Sequence, residues 1–303
     1  MSRNYGIGTR DLGSAGRLWL QRPQSGLSYS SIATYSQRWE GSFVPFAKAQ
    51  GVKRMEHITK ELVSDYANHL IQQGQSAATI KNNIAAINAV MKQANSGWQA
   101  VKPSEIGVPK RSYVRTESPI LDRDPLVRAK ASLSDGRAKA IIDLTRELGL
   151  RRKEASLLDA RKAIKEVRTK GQVTITEGTK GGRTRVIPIT NQRQIDSLQK
   201  AANVQGKGEH SMIPADKSYR SFRPVLDRAN EALVRETGGQ TFHDLRSAFA
   251  CERYKAITGS PAPVIAGHRV ASKADDHMAR VQIAKELGHG RTDVTAAYLG
   301  SSR

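Results

Sequence analysis

Residues 172–189 read QVTITEGTKGGRTRVIPI, and β-forming residues alternate with polar ones here more regularly than anywhere else in the chain. Segments 172–177 and 184–189 each predict a strand, because side chains on one face of a sheet recur at every second position. The glycines at 178, 181 and 182 favour a turn between them. We therefore expect an antiparallel hairpin with Lys180 at its tip. Such a lysine is usually only solvated, but it can also swing into a groove as a proton donor.

Around this hairpin the hydrophobic spacing is helical. The fold class is therefore α+β: mainly α with a small antiparallel β-hairpin. The predicted helices of this region cover residues 134–147, 151–160, 191–202, 218–236, 243–256, 279–287 and 292–299.

A second helical region lies nearer the N-terminus, at 28–100. Thr59 and Ser76 are predicted to begin two of its helices as N-caps, and Gly51, Gly74 and Gly97 to end helices. Residues 1–27, rich in Gly, Ser, Arg and Gln, predict a flexible N-terminal arm. Residues 101–125 contain four prolines and little periodicity, which predicts an interdomain linker before a second domain at 126–303.

The charge of the chain predicts a polyanionic partner. Its net charge is +21, with 13 Lys and Arg against 6 Asp and Glu in residues 1–110, and 36 against 22 in residues 111–303. Because both halves are basic, both are expected to face DNA or RNA, although a ribosomal or membrane-surface protein can share this balance.

No apolar run is long enough to span a membrane. One cysteine, Cys251, excludes an internal disulfide and fits a reducing, cytoplasmic setting.

Three further motifs carry residues suited to phosphate chemistry. His243 and Arg246 stand three apart and share a helix face, and an arginine fork can grip two phosphate oxygens. Arg151 follows a helix-ending Gly-Leu and precedes a glutamate, Glu154, by three residues. The third motif places Tyr298 nine residues after His289. A free tyrosine has a pKa of about 10 and is a poor nucleophile unless cations surround it. Each motif alone is weak, and ordinary surface or core positions explain most instances.

Their joint occurrence resembles the tyrosine recombinase, or phage integrase, family. GLRRKEASLL (149–158) is similar to that family's first arginine box, and TEGTKGGRTRVIPI (176–189) to its lysine-bearing hairpin. FHDLR (242–246) matches its H-x-x-R box, and LGHGRTDVTAAYLG (287–300) its LGH box with the tyrosine nine residues later. The resemblance covers about residues 140–300 at motif level. Residues 28–100 resemble the family's helical core-binding (SAM-like) domain only in type.

The resemblance implies a site-specific DNA recombinase or integrase, of a kind carried by plasmids and other mobile elements, that cuts duplex DNA through a 3′-phosphotyrosine. Tyr298 would be the nucleophile, Arg151 and Arg246 would hold the phosphate, and Lys180 would be the general acid. It also implies no cofactor or metal, a homotetramer on synapsed recombination sites formed from free monomers, and a cytoplasmic, nucleoid-associated protein. His243 would accept the tyrosine proton or bind phosphate, His289 would donate to the phosphate, and Glu154 would orient Arg151 or a histidine.

Basic residues outside this set are candidate DNA contacts: Lys81, Lys102, Lys110, Arg111, Arg115, Arg152 and Arg183.

Two departures from the family pattern stand out. The gap from Arg246 to His289 is long, with an excess at 258–280 expected to be a loop that touches DNA or a neighbouring subunit. Within it, Gly267-His268-Arg269 is similar to the LGH box. No tyrosine follows His268 at nine residues, however, because position 277 is a histidine. The second departure is that only five residues follow Tyr298, which puts the family's usual mode of tetramer assembly in doubt.

Two other functions compete with this interpretation. A type IB topoisomerase-like enzyme uses related chemistry, although the LGH box and small size argue against it. A catalytically inactive DNA-binding regulator would share the charge, although every expected catalytic residue is present.

Overall fold

The structure is a computed structural model that describes residues 3–302. The chain divides into two compact units, Met1–Ser112 and Tyr113–Arg303, and each has its own hydrophobic core. In the part described, no helix combines the length and the apolar character needed to cross a bilayer.

The first unit is helical, as predicted. Thr59 and Ser76 cap their helices as expected, each accepting a hydrogen bond from a main-chain N–H three residues on. A π-helical turn, Trp39–Phe43, interrupts the long helix expected from Tyr29 onward, and both its aromatic rings are buried. The helices of this unit are α1 (Leu12–Gln21), α2 (Tyr29–Arg38), α3 (Val44–Ala49), α4 (Lys60–Gln72) and α5 (Ala77–Ala94).

The flexible arm predicted for residues 1–27 is wrong over most of its length. Asp11 caps α1 by accepting the Ser14 N–H at 2.8 Å, and the helix buries Leu12, Trp19 and Leu20 in the core. These apolar residues recur at helical spacing, but the glycines and polar residues between them conceal the pattern in composition.

The residues predicted as a linker, 101–125, are shared between the two units instead of standing outside them. Val101 and Val108 are buried in the core of the first unit, and residues from Tyr113 onward belong to the second. An extended segment with prolines shows no periodicity, yet single side chains along it can still pack into a core. The second unit's first helix begins at Asp124, ten residues before the first helix predicted there.

The second unit surrounds the predicted hairpin with helices. Strands β1 (Gln172–Ile175) and β2 (Arg185–Pro188) pair antiparallel, with Val173 opposite Ile187 and Ile175 opposite Arg185. Both strands are shorter than predicted. The helices are α6 (Asp124–Ala131), α7 (Gly136–Leu148), α8 (Arg152–Leu157), α9 (Ala160–Lys170), α10 (Gln192–Val204), α11 (Tyr219–Thr237), α12 (Phe242–Thr258), α13 (Pro263–Ala266), α14 (Lys273–Glu286) and α15 (Ala296–Leu299).

The expected loop at 258–280 is largely helical. It contains the short helix α13 and the first half of α14, which begins at Lys273 rather than at 279. Ser272 caps α14 by accepting the Asp275 N–H at 3.0 Å. The segment packs within its own unit, because Ala262, Val264 and Ala271 belong to the second core.

Candidate active site

Tyr298 lies against Arg246 in the second unit, and both side chains are buried. Arg246 Nε donates to Tyr298 Oη at 3.3 Å, and the guanidinium carbon lies 5.5 Å from the centre of the tyrosine ring. The other two guanidinium nitrogens donate to the main-chain carbonyls of Gly149 and Leu287. Burial, with the nearby positive charges, lowers the pKa of Arg246 to about 10, so it remains a cation at neutral pH.

Both predicted histidines adjoin the same tyrosine. His289 Nε2 lies 3.1 Å from Tyr298 Oη, and the His243 ring centre is 5.4 Å from the tyrosine ring centre. Burial, followed by the charges of Arg246 and Arg151, lowers the pKa of His289 to about 4. The pKa of His243 is also lowered, first by partial loss of water around its ring. Both rings are therefore neutral at neutral pH in the free protein.

Glu154 organises the arginines around this centre. It is fully buried and accepts from the Arg151 guanidinium at 2.6 Å and from its main-chain N–H at 2.7 Å. Arg185 binds the same carboxylate with two parallel hydrogen bonds of 2.7 and 2.6 Å, and Arg246 Nη1 lies 3.8 Å from it. Burial alone would raise the pKa of Glu154, but these hydrogen bonds and charges hold it at about 2. The predicted orienting role is therefore directed at arginines.

The turn between α7 and α8 has a backbone that only glycine suits. Gly149 ends α7 with φ +61°, and a Cβ there would lie 2.4 Å from the Phe249 ring. The same turn aims the Gly149 carbonyl at Arg246 and presents Arg151 at the start of α8. Local sequence thus fixes the approach of the first arginine box to the H-x-x-R helix.

Lys180 lies at the exposed tip of the hairpin, as predicted. The tip adjoins the LGH loop: the charge of Lys180 acts on His289, and Arg183 Nη1 lies 3.0 Å from where a Cβ on Gly290 would be. Between β2 and that loop an open groove of about 570 Å³ is lined by Arg183, Arg185, His289 and neighbouring residues.

Two buried ion pairs in this region were missed by sequence reasoning. Arg185 shares strand parity with the core residue Ile187, so an inward-facing charge was readable from the alternation. Arg253 pairs at 2.9 Å with the buried Glu286, which directly precedes the LGH loop. Nothing in the spacing of these two residues distinguishes them from ordinary surface charges.

Arg115, one of the predicted DNA contacts, is half-buried and bound within the second unit. Its guanidinium binds Asp244 at 2.7 Å and Ser247 at 3.2 Å, and its main-chain N–H donates to Ala296 O at 2.9 Å. The arginine therefore joins the start of the second unit to the H-x-x-R helix and to the tyrosine-bearing segment.

The other candidate DNA contacts lie at or near the surface. Lys102, Lys110, Arg111 and Arg183 are exposed, although Lys102 pairs with Glu105 at 2.8 Å. Lys81 and Arg152 are half-buried, and Arg152 binds Asp227 at 2.7 Å. Among residues 3–302, His, Cys, Asp and Glu side chains form no group of three or more able to hold a metal ion.

Two family models match the chain. Residues 18–102 match the phage integrase N-terminal SAM-like domain, and residues 110–252 match the integrase domain. The second match includes Arg151, Lys180, His243 and Arg246, and it ends before His289 and Tyr298. No curated protein matches the chain in sequence.

Several solved structures are similar in fold. A lambda integrase dimer bound to a COC′ core site has a TM-score of 0.60 at 18% identity, covering 96% of this chain and 76% of that one. The Tn1549 transposon integrase in complex with a circular intermediate DNA has a TM-score of 0.61 at 10% identity, covering 97% and 96%. A lambda integrase tetramer bound to a Holliday junction has a TM-score of 0.55 at 17% identity, covering 93% and 77%.

At such low identity these structures establish the fold alone. The two family models cover most of the chain in the expected order, and the structure brings Arg246, His243 and His289 together around one tyrosine. The chain belongs to the tyrosine recombinase, or phage integrase, family.

Proposed function

We propose that this protein is a site-specific recombinase that cuts and rejoins duplex DNA with Tyr298 as its nucleophile. One observation carries the proposal: the Tyr298 hydroxyl lies within hydrogen-bond distance of both Arg246 and His289. A phenol needs positive charge and a proton acceptor close by to attack a phosphodiester near neutral pH. The site supplies both.

In the first step Tyr298 Oη attacks the scissile phosphorus in line. The bond from Oη to phosphorus forms as the bond from phosphorus to the 5′ oxygen breaks, which leaves a 3′-phosphotyrosine and a 5′-hydroxyl. Lys180 at the hairpin tip gives the leaving oxygen its proton. A 5′-hydroxyl from a partner strand then reverses the step, so the phosphotyrosine conserves the bond energy and no ATP is required.

Arg151 and Arg246 stabilise the charge that collects on the non-bridging oxygens. Removing one such donor is expected to slow cleavage by about 10²–10³-fold. Because Tyr298 covers the Arg246 guanidinium in the free protein, the entering phosphate displaces the tyrosine side chain from it. Glu154 pairs with both arginines and fixes the positions of their side chains.

The geometry favours His289 as the acceptor of the tyrosine proton. Its Nε2 is 3.1 Å from the hydroxyl, and its lowered pKa keeps it neutral and able to accept. His243, whose ring lies beside the tyrosine ring at a tilt of 45°, would then contact a phosphate oxygen. This assignment keeps one of the two roles predicted for His243, binding a phosphate oxygen, and gives His289 the proton instead of a donor role toward the phosphate.

The DNA partner is proposed from charge and from the relatives. The exposed basic residues Lys102, Lys110 and Arg111 stand where the first family match ends and the second begins, and Lys81, Arg152 and Arg183 add charge elsewhere. The similar lambda and Tn1549 integrases are bound to DNA, one as a tetramer on a Holliday junction. We infer a tetramer on two synapsed sites, acting in the cytoplasm at the nucleoid.

Covalent trapping tests the proposal. Nicked duplexes that tile the DNA flanking the gene would be incubated with protein and denatured in SDS. An adduct whose modified residue maps to Tyr298 is expected, and Tyr298→Phe should abolish it while retaining DNA binding. Tyr219→Phe, a tyrosine change in the same unit, should react normally. An adduct that persists in Tyr298→Phe would contradict the proposal.

Two further outcomes identify the competing functions. Specific binding without any adduct indicates an inactive regulator. Relaxation of a supercoiled plasmid that carries no recombination site indicates a topoisomerase, because recombination requires two sites.

A further inference from the structure

The tyrosine-bearing segment is held by one buried arginine, Arg280, that none of the motifs contains. Its Nη1 donates to Thr295 Oγ1 and to Gly300 O, both at 3.3 Å, and its Nη2 donates to Ser301 O at 3.1 Å. These acceptors lie before and after α15, the single helical turn that carries Tyr298. Arg280 therefore grips both ends of the turn.

Arg280 is itself fixed from the other side. Asp276, one helical turn earlier on α14, accepts from Arg280 Nε at 3.0 and 2.9 Å through its two oxygens. Tyr254 Oη donates to the same carboxylate at 2.9 Å. All three side chains are buried, so the pair is little screened by solvent. Ordered partners on both sides leave the guanidinium one orientation.

The rest of residues 258–280 closes over the same segment. Gly300 has φ +81°, and a Cβ there would lie 2.9 Å from the Val264 main-chain nitrogen, so α13 packs directly on the residue after α15. Arg280 and α13 thus both contact Gly300, the residue that follows α15. Residues 258–280 therefore contact the chain on both sides of Tyr298.

We propose that Arg280, oriented by Asp276, is a positioning residue that clamps the Tyr298 segment onto its own catalytic unit. The inference rests on the proposed function of Tyr298. A one-turn helix has almost no stability of its own, because nucleating a helix is unfavourable. Its place is set by these contacts, and a nucleophile displaced by about 1 Å can lose about 100-fold in rate.

The single cysteine reports on this clamp without any DNA. Cys251 is buried, its Sγ lies 3.7 Å from the Tyr298 carbonyl oxygen, and burial raises its pKa to about 12. Release of the segment uncovers this thiol. Arg280→Ala should therefore speed labelling by the disulfide reagent DTNB by roughly tenfold or more in native buffer, because local opening becomes easier.

Arg137→Ala is the matched control. Arg137 binds Glu209 at 2.7 Å in the same unit and does not touch the tyrosine segment. Its labelling rate should stay near wild type when both variants are compared at equal distance below their melting temperatures. Equal labelling of the two variants would overturn the clamp, whether or not Tyr298 is the nucleophile.

Cleavage of the nicked duplex provides the second readout. At saturating protein, Arg280→Ala should lose about 100-fold in single-turnover rate with DNA affinity unchanged, and Arg137→Ala should not. Arg280→Lys and Asp276→Asn, which keep the side-chain size, should be intermediate in both assays, and they replace Arg280→Ala if it fails to fold. Wild-type cleavage by all three clamp variants would refute the positioning role. An adduct mapped away from Tyr298 would instead refute the proposed function.

Discussion

Replacing Glu154 by glutamine tests whether one carboxylate holds the arginines of the site. The side chain is fully buried and binds Arg151 and Arg185 at 2.6–2.7 Å. Its pKa of about 2, against an ordinary 4.5, corresponds to about 3 kcal/mol of stability at neutral pH. Removing one partner of a buried ion pair typically costs about 3–5 kcal/mol, because the remaining charges stay buried without compensation. We expect Glu154→Gln to lose a similar amount and its melting temperature to fall by roughly 10 °C.

Because the tryptophans lie in one unit only, the loss of stability in Glu154→Gln can be assigned to the first or the second unit. All three tryptophans, Trp19, Trp39 and Trp98, lie in the first unit, so their fluorescence follows that unit's unfolding, while far-UV circular dichroism follows both. The variant should lower the dichroism transition and leave the fluorescence transition in place. Glu105→Gln, which breaks an exposed pair with Lys102, should change neither.

The pH dependence has a definite sign. A carboxylate with a depressed pKa stabilises the fold above its unfolded pKa of about 4.5, and that contribution is lost as pH falls toward 2. The difference between wild type and Glu154→Gln should therefore be full at pH 7 and shrink below pH 4.5. A loss under about 1 kcal/mol at pH 7, or a difference that does not change with pH, would refute the reasoning.

Two other substitutions probe the histidines. Arg115→Met removes a positive charge that lowers the pKa of His243 and leaves Asp244, which raises it. Because the proposed proton acceptor is His289, the acid limb of the cleavage pH profile should stay in place, and a limb that moves to higher pH would assign the proton transfer to His243 instead. His289 has a folded pKa of about 4 against an ordinary 6.5, so its neutral state stabilises the fold above pH 6.5 and that contribution is lost as pH falls toward 4. His289→Asn should flatten the melting temperature between pH 6.5 and 4, and thermal melts with the same slope as wild type would count against it.

Much of the fold could be predicted because its signals are local. The N-caps Thr59 and Ser76 satisfy main-chain N–H groups within three residues, and the hairpin strands alternate at every second residue. Such patterns depend only on backbone geometry and neighbouring side chains. The six residues proposed for the site came from the resemblance to the family's motifs. Five of them surround or form one buried tyrosine centre, and Lys180 lies at the hairpin tip, close enough for its charge to act on His289.

The elements that were mispredicted depend on packing. Helix α1 is hidden by glycines and polar residues, and its place comes from Trp19 and Leu20 entering a core built by other helices. Arg115 could be counted as basic from sequence, but its engagement by Asp244 follows only when distant segments meet.

Sequence alone predicted the hairpin, most of the helices, the strong positive charge and the set of groups able to act on a phosphodiester, because propensity, charge and residue identity are local properties of the chain. Tertiary structure alone decided that Arg185 faces Glu154 and that Arg280 grips the segment bearing Tyr298. Those pairs lie 31 and 15 or more residues apart in sequence. Their geometry exists only once a shared core excludes water and brings each buried charge within hydrogen-bond distance of its partners.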